Sequence, residues 1–140
     1  MQIGEVASRS GLSVHTLRYY ERIGLIAPQP RLGSGHRDYD DETLERAEAL
    51  SYLRASGMSI EDMRTYVNNL ARGDFAALEQ ADLLQAHAKR LDDELHTLQL
   101  RHDYIAAKAA YWRAVATQGR DSDDAREFIQ RAIDYSRALK

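Results

Sequence analysis

The stretch Ser13-Val14-His15-Thr16-Leu17-Arg18-Tyr19-Tyr20-Glu21 decides how the rest of this 140-residue chain is read. Ser13 suits the cap of a helix, where its hydroxyl accepts a bond from an otherwise free backbone N–H. Leu17 and Tyr20 stand three apart and share an inner face, which leaves His15, Thr16, Arg18 and Tyr19 largely to the outer one. That outer face offers an imidazole, a hydroxyl, a guanidinium and a phenol, with no carboxylate until Glu21. Such donors suit phosphate oxygens and base edges, so the stretch reads as a helix that recognises DNA.

Working toward the N-terminus, Ile3, Val6 and Ala7 have helical spacing and Gly11 supplies a stop, so Ile3 to Ser10 is a short first helix. Helix, Gly-containing turn and second helix make a helix-turn-helix. Toward the C-terminus, Gly24 ends the second helix and Leu25-Ile26 read as a brief extended segment. Pro28 and Pro30 then keep the chain out of helix. In Arg31-Leu32-Gly33-Ser34-Gly35-His36-Arg37-Asp38-Tyr39 the glycines permit a tight turn, and Arg37 and Tyr39 alternate onto one side of a strand. This reads as a β-hairpin wing that sets Arg31, His36 and Arg37 beside phosphates.

The formal charge of -3 would argue against a nucleic-acid partner, but it is unevenly placed. Residues 1–39 carry five basic side chains against three acidic ones, a net of +2, so the remainder carries -5. The basic balance lies where the recognition stretch lies.

Beyond the wing the pattern is helical. Asp40 or Asp41 caps a third helix with Leu44, Ala47, Leu50 and Leu53 in a stripe that ends at Gly57; Ser59 starts a fourth whose inner face is Ile60, Met63, Val67 and Leu70. From Phe75 to Gln118 there is neither Pro nor Gly. Positions 81, 84, 88, 91, 95, 98, 102, 105, 109, 112 and 116 alternate steps of three and four, and only His102 among them is polar. This is a heptad seam that needs a partner. Residues 79–96 hold five acids against two bases, and residues 97–113 hold three bases against one acid. Two such helices in parallel set acid against acid, whereas antiparallel ones set each acidic half against a basic half, so an antiparallel homodimeric coiled coil is expected. After Gly119 a polar break leads to a last amphipathic helix with Ala125, Phe128, Ile129, Ala132, Ile133 and Tyr135 on its apolar side. The fold class is therefore mainly α, with a winged head at 1–74, a dimerisation helix at 75–118 and a C-terminal helix within 119–140.

Other chemistries find little footing. The chain has no cysteine, which removes disulfides and thiolate metal sites. His87, His96 and His102 share one helix but none pairs at i, i+4, and the Asp92-Asp93 run is solvated. No catalytic site, metal or cofactor is expected. The absence of a long apolar run or leader pattern makes a membrane partner unexpected and a cytoplasmic location the expectation. Tyr104, Tyr111, Trp112, Phe128 and Tyr135 stand at spacings that could face one cavity, and they are the candidates for binding a small organic effector, neutral or cationic.

The quoted residues, with Ile3-Gly4-Glu5-Val6-Ala7, Gly11-Leu12-Ser13, Gly24-Leu25, Gly35-His36-Arg37-Asp38-Tyr39, Leu44 and Gly57-Met58-Ser59-Ile60, resemble the MerR family of bacterial transcription regulators. The resemblance covers about the first 70 residues closely and the long helix in kind. It implies a dimer on double-stranded promoter DNA that bends and untwists it in response to an effector, engaging RNA polymerase indirectly. An effector-independent architectural protein or repressor is the alternative. By position, Ser13, His15, Thr16, Arg18, Tyr19 and Tyr20 would serve the recognition helix, and Arg31, His36, Arg37 and Tyr39 the wing. His36 replaces the family's usual aromatic, and Tyr52 stands where the aldehyde and nitrosative-stress branch tends to carry a cysteine.

Overall fold

The computed structural model describes residues 1–140 and is mainly helical, with a non-helical segment at 23–40. Six α-helices follow in order: α1 (Ile3–Ser10), α2 (Val14–Arg22), α3 (Asp41–Ala55), α4 (Ile60–Arg72), α5 (Ala77–Gln118) and α6 (Asp123–Ala138), with a short 3-10 turn (Gly73–Ala76) before α5. The chain forms two compact units, Met1–Leu84 and Gln85–Lys140. No helix is long and apolar enough to cross a membrane.

The helix boundaries follow from local chemistry. Ser13, Asp40, Ser59 and Ser122 each stand one residue before a helix and accept a bond from the N–H three residues on, which satisfies a donor that the helix itself leaves free. Gly11 closes α1 at φ 82°, and a Cβ there would also lie 3.4 Å from the Ser51 hydroxyl of α3. A side chain at this position meets backbone strain, while its Cβ would be in ordinary van der Waals contact with α3.

In the first unit, Val6, Leu12, Leu17, Tyr20, Leu25, Ile26, Tyr39, Leu44, Ala47, Leu50, Met58 and Met63 form one core. Burial of each large member contributes about 1.5–3 kcal/mol. Leu25 and Ile26 do not form the extended segment expected of them. Both N–H groups bond to the Tyr20 carbonyl, which folds the chain back over the end of α2 and buries both side chains. The wing is also smaller than a full hairpin. A single antiparallel bridge joins Arg31 to Arg37, supported by Leu32 N–H to His36 O at 2.7 Å, with Gly35 at φ 85° in the turn.

In α4 the expected inner position Leu70 is exposed, and Asn69 is buried in its place. Asn69 donates to the Gln80 side-chain oxygen at 3.0 Å, and Gln80 donates to the Tyr66 carbonyl at 3.0 Å. A buried amide is tolerated here because both ends of the pair are satisfied. These bonds fix the first turn of α5 against α4.

In the second unit α5 presents two faces. Ala107 and Ala114 are buried, as are Ala125 and Ala132 of α6, and side chains of the two helices line one groove. Leu95, Leu98, Ile105 and Trp112 of the heptad seam are all at least half exposed. A two-residue step turns about 200° around a helix, so α6, seated over 107 and 114, leaves the seam at 105 and 112 uncovered.

Candidate nucleic-acid interface

The α2 helix is amphipathic in a way that fixes its outward residues. Leu17 is fully buried and Tyr20 is 1% exposed, so the helix cannot rotate without emptying the core. His15, Arg18, Tyr19 and Arg22 are thereby left on the surface, in the i, i+3, i+4, i+7 relation of a single stripe. The Arg22 guanidinium sits 5.6 Å from the Tyr19 ring centre, a cation–π contact that orients both. Arg22 was not among the residues singled out from the sequence, although the same periodicity would have reached it.

Three residues expected at the interface are buried or nearly so. Tyr20 and Tyr39 are core side chains, 1% and 2% exposed, whose rings fill space behind the surface. Burial raises both phenol pKa values, and at Tyr39 the neighbouring Glu21 carboxylate raises it further. Thr16 is nearly buried as well. Its hydroxyl accepts from Ser13 at 2.9 Å and from Arg54 at 3.3 Å, so it braces the start of α2. The alternation that put Arg37 and Tyr39 on one side of the wing holds, but that side faces α2. Arg37 Nε donates to Glu21 Oε1 at 3.1 Å and the Tyr39 hydroxyl to Glu21 Oε2 at 3.3 Å.

On the wing itself Arg31 and His36 are exposed, and an Arg31 Nη1 bond to the Gly35 carbonyl at 3.2 Å stiffens the turn. Arg54, at the end of α3, was also missed from the sequence. It lines a groove of about 510 Å³ with His15, Thr16, Tyr19 and the first residues of α4, and only the folded chain brings it there.

The five aromatic residues proposed for an effector do not converge on one cavity. Phe128 and Tyr135 of α6 line a shallow groove of about 190 Å³ with Asp103, Ala106, Ala107, Ala110 and Arg131. Tyr111 and Trp112 stack edge to face at 5.1 Å, and the Arg120 guanidinium covers the Trp112 ring at 5.4 Å. Neither they nor Tyr104 line that groove, because neighbours on a helix point about 100° apart.

The sequence profile described as "MerR HTH family regulatory protein" matches residues 1–70, which is half of the chain. Among curated relatives, the HTH-type transcriptional regulator AdhR of Bacillus subtilis is 41% identical over 91 residues, covering 65% of each chain. The chain therefore spans just under two thirds of that relative's length. Among solved structures, a MerR family transcriptional regulator from Listeria monocytogenes aligns with 100% of this chain and 99% of its own, at 28% identity and a TM-score of 0.73. HiNmlR, a MerR family regulator lacking the sensor domain and solved bound to promoter DNA, aligns over 85% of this chain and 90% of its own at 25% identity, TM-score 0.70. All three are regulators by name, AdhR and the Listeria protein transcriptional regulators and HiNmlR a MerR family regulator. A capped α2 preceded by a short helix, a bridged turn after it and a long helix further along the chain, matched in sequence over residues 1–70, place this chain in the MerR family of transcriptional regulators.

Proposed function

We propose that the protein is a homodimeric, sequence-specific regulator that sets its two α2 helices into successive major grooves of a promoter and acts by distorting the DNA between them. The observation that carries this reading is the stripe His15, Arg18, Tyr19 and Arg22, exposed on a helix whose opposite face is locked in the core. On this reading Ser13 and Thr16 hold the first turn of α2, Arg18 reads a base edge, and Arg31, His36 and Arg37 meet the flanking phosphates. The fold shared with HiNmlR, which was solved on promoter DNA, supports the same orientation of parts.

The uncovered seam on α5 supports the dimer, and the division of charge along that helix favours antiparallel pairing. RNA polymerase would then be engaged indirectly, through the altered promoter. The test is selection of duplexes from a random-sequence library by the full-length protein, followed by mobility shift and end-to-end fluorescence transfer on the selected duplex. A site with two inverted half-sites whose ends move on binding is expected. Binding without sequence preference, or with DNA left straight, would overturn the reading.

A second reading is favoured by the likeness to a regulator that lacks a sensor domain, together with the shallow groove between α5 and α6. In it the protein binds its operator without an effector, as an architectural protein or repressor. Tyr104, Tyr111, Trp112, Phe128 and Tyr135 are then packing residues of α5 and α6. Operator affinity and bending unchanged across a panel of small organic compounds would favour it over the effector-responsive form.

A further inference from the structure

Glu21 is the one carboxylate on α2, and the structure engages both of its oxygens. Oε1 accepts from Arg37 Nε at 3.1 Å and from the Gln29 backbone N–H at 3.4 Å, while Oε2 accepts from the Tyr39 hydroxyl at 3.3 Å. The carboxylate therefore ties the last turn of the recognition helix to three points along the segment that carries the wing. Its side chain is 12% exposed and that of Arg37 30%, so the pair is partly shielded from water and salt. The other guanidinium nitrogens of Arg37 make no hydrogen bond within the chain. A guanidinium is a rigid planar fork, so fixing Nε fixes the direction in which Nη1 and Nη2 point.

We propose that Glu21 is a positioning residue for DNA binding, which clamps the wing to the recognition helix and aims the free end of the Arg37 guanidinium at a backbone phosphate. The proposal rests on the reading of α2 and the wing as the DNA-contacting surface. It gives a sign that simple electrostatics does not. A carboxylate close to a DNA-facing surface repels phosphates, so removing its charge should strengthen binding if Glu21 has no other part. If Glu21 is the clamp, the same change weakens binding, because Arg37 and the wing lose their fixed direction and ordering them becomes a cost of association.

The experiment compares full-length wild type, Glu21→Gln, Arg37→Ala and the double variant on a fluorescent duplex selected by the wild-type protein, and on an unrelated duplex of equal length, across a salt series. Thermal unfolding of each variant is measured alongside, so that binding is compared only where all are folded. Wild type that fails to discriminate the two duplexes refutes the underlying reading, independently of the clamp. Given discrimination, Glu21→Gln is expected to bind both duplexes about tenfold more weakly, with a salt slope reduced by roughly one phosphate contact. The double variant should bind no more weakly than Arg37→Ala, since the two residues act as a unit. Binding by Glu21→Gln equal to or tighter than wild type, or losses that add in the double variant, would overturn the proposal. Should Glu21→Gln not fold, Arg37→Lys serves instead: it keeps the charge and loses the planar fork. Weakening close to that of Arg37→Ala supports the clamp, and wild-type affinity refutes it.

Discussion

The Arg54 guanidinium, in the last turn of α3, donates a 3.3 Å hydrogen bond to the Thr16 hydroxyl in the first turn of α2, across 38 residues of sequence. Thr16 in turn receives the Ser13 hydroxyl at 2.9 Å, and the Thr16 N–H donates to Ser13 Oγ at 3.0 Å. The start of the recognition helix is thus held by its own cap and by a neighbouring helix. Ser13→Ala should lower stability by about 1 kcal/mol, the usual loss for a side-chain cap. Thr16→Val keeps the shape and removes the acceptor for Arg54, so it should cost a similar amount and weaken operator binding severalfold. Urea midpoints with unchanged slope would measure the first effect, and mobility shift the second. Stability of both variants equal to wild type would show that the bonds contribute nothing.

Arg18→Ala and Arg22→Ala should differ in kind. Arg18 stands mid-helix in the exposed stripe, so its loss is expected to reduce affinity for the selected duplex by at least tenfold and to narrow discrimination against an unrelated one, as removal of a bidentate base contact worth roughly 1–3 kcal/mol would. Arg22, stacked on Tyr19 at the end of the helix, should weaken all duplexes alike. Tight and selective binding by Arg18→Ala would remove it from the reading of sequence.

Much of the head was legible because its signals are local. Ser13, Asp40 and Ser59 announce helix starts, Gly11 and Gly24 announce stops, and each appears where local chemistry puts it. The exposure of the candidate residues was legible only where outward direction follows from period. His15, Arg18 and Tyr19 met that condition. Tyr20 and Tyr39 did not, because a tyrosine suits a core as well as a surface and only the packing decides. Arg54 and the Glu21–Arg37 pair were out of reach, since the contacts that give them meaning join residues far apart in the chain. The aromatic cluster failed for a related reason: spacing along α5 and α6 does not say which face each helix turns to the other.

Tyr20 and Tyr39 predict a dependence of stability on alkaline pH. Both phenols are held above their ordinary value of 10.0, burial being the main cause in each. The folded state therefore holds its protons where the unfolded state has begun to release them. The stabilisation is full below pH 10 and is lost as pH rises through the folded-state values. Urea midpoints should fall progressively above pH 10, and Tyr39→Phe, which has nothing to ionise, should show a shallower decline. A Tyr39→Phe curve parallel to wild type would assign the decline to other groups.

The seam on α5 predicts the oligomeric state. Leu91→Asp with Leu98→Asp places charges where apolar partners should close over them, at a cost of several kcal/mol. Leu98 is 60% exposed in the single chain, so the double variant should keep the helical content of the monomer and lose only association. Sedimentation is expected to give a wild-type dimer at micromolar concentration and a monomeric variant with weakened operator binding. A stable wild-type monomer would overturn this.

The final expectation concerns what the α5–α6 groove would accept. Metal ions are disfavoured by the chain's chemistry: it has no thiolate, and no group of three or more His, Asp or Glu side chains is placed to hold one. A cation of organic type meets a different obstacle at Phe128, since the Arg131 guanidinium already lies 5.6 Å from the centre of that ring. The groove of about 190 Å³, floored by Ala106, Ala107 and Ala110, is smaller than the roughly 300 Å³ at which drug-sized pockets begin. A small neutral aromatic compound fits that description best, lying against the alanines and the edges of Phe128 and Tyr135. Thermal shift of the full-length protein against small neutral aromatics, organic cations, and zinc, copper and mercury ions tests this. Neutral aromatics should raise the melting temperature by several degrees when present well above their Kd, following the linkage that gives about 2.7 kcal/mol at a hundredfold excess. Phe128→Ala should abolish the rise, and stabilisation by a stoichiometric metal ion with none by any organic compound would sink the idea.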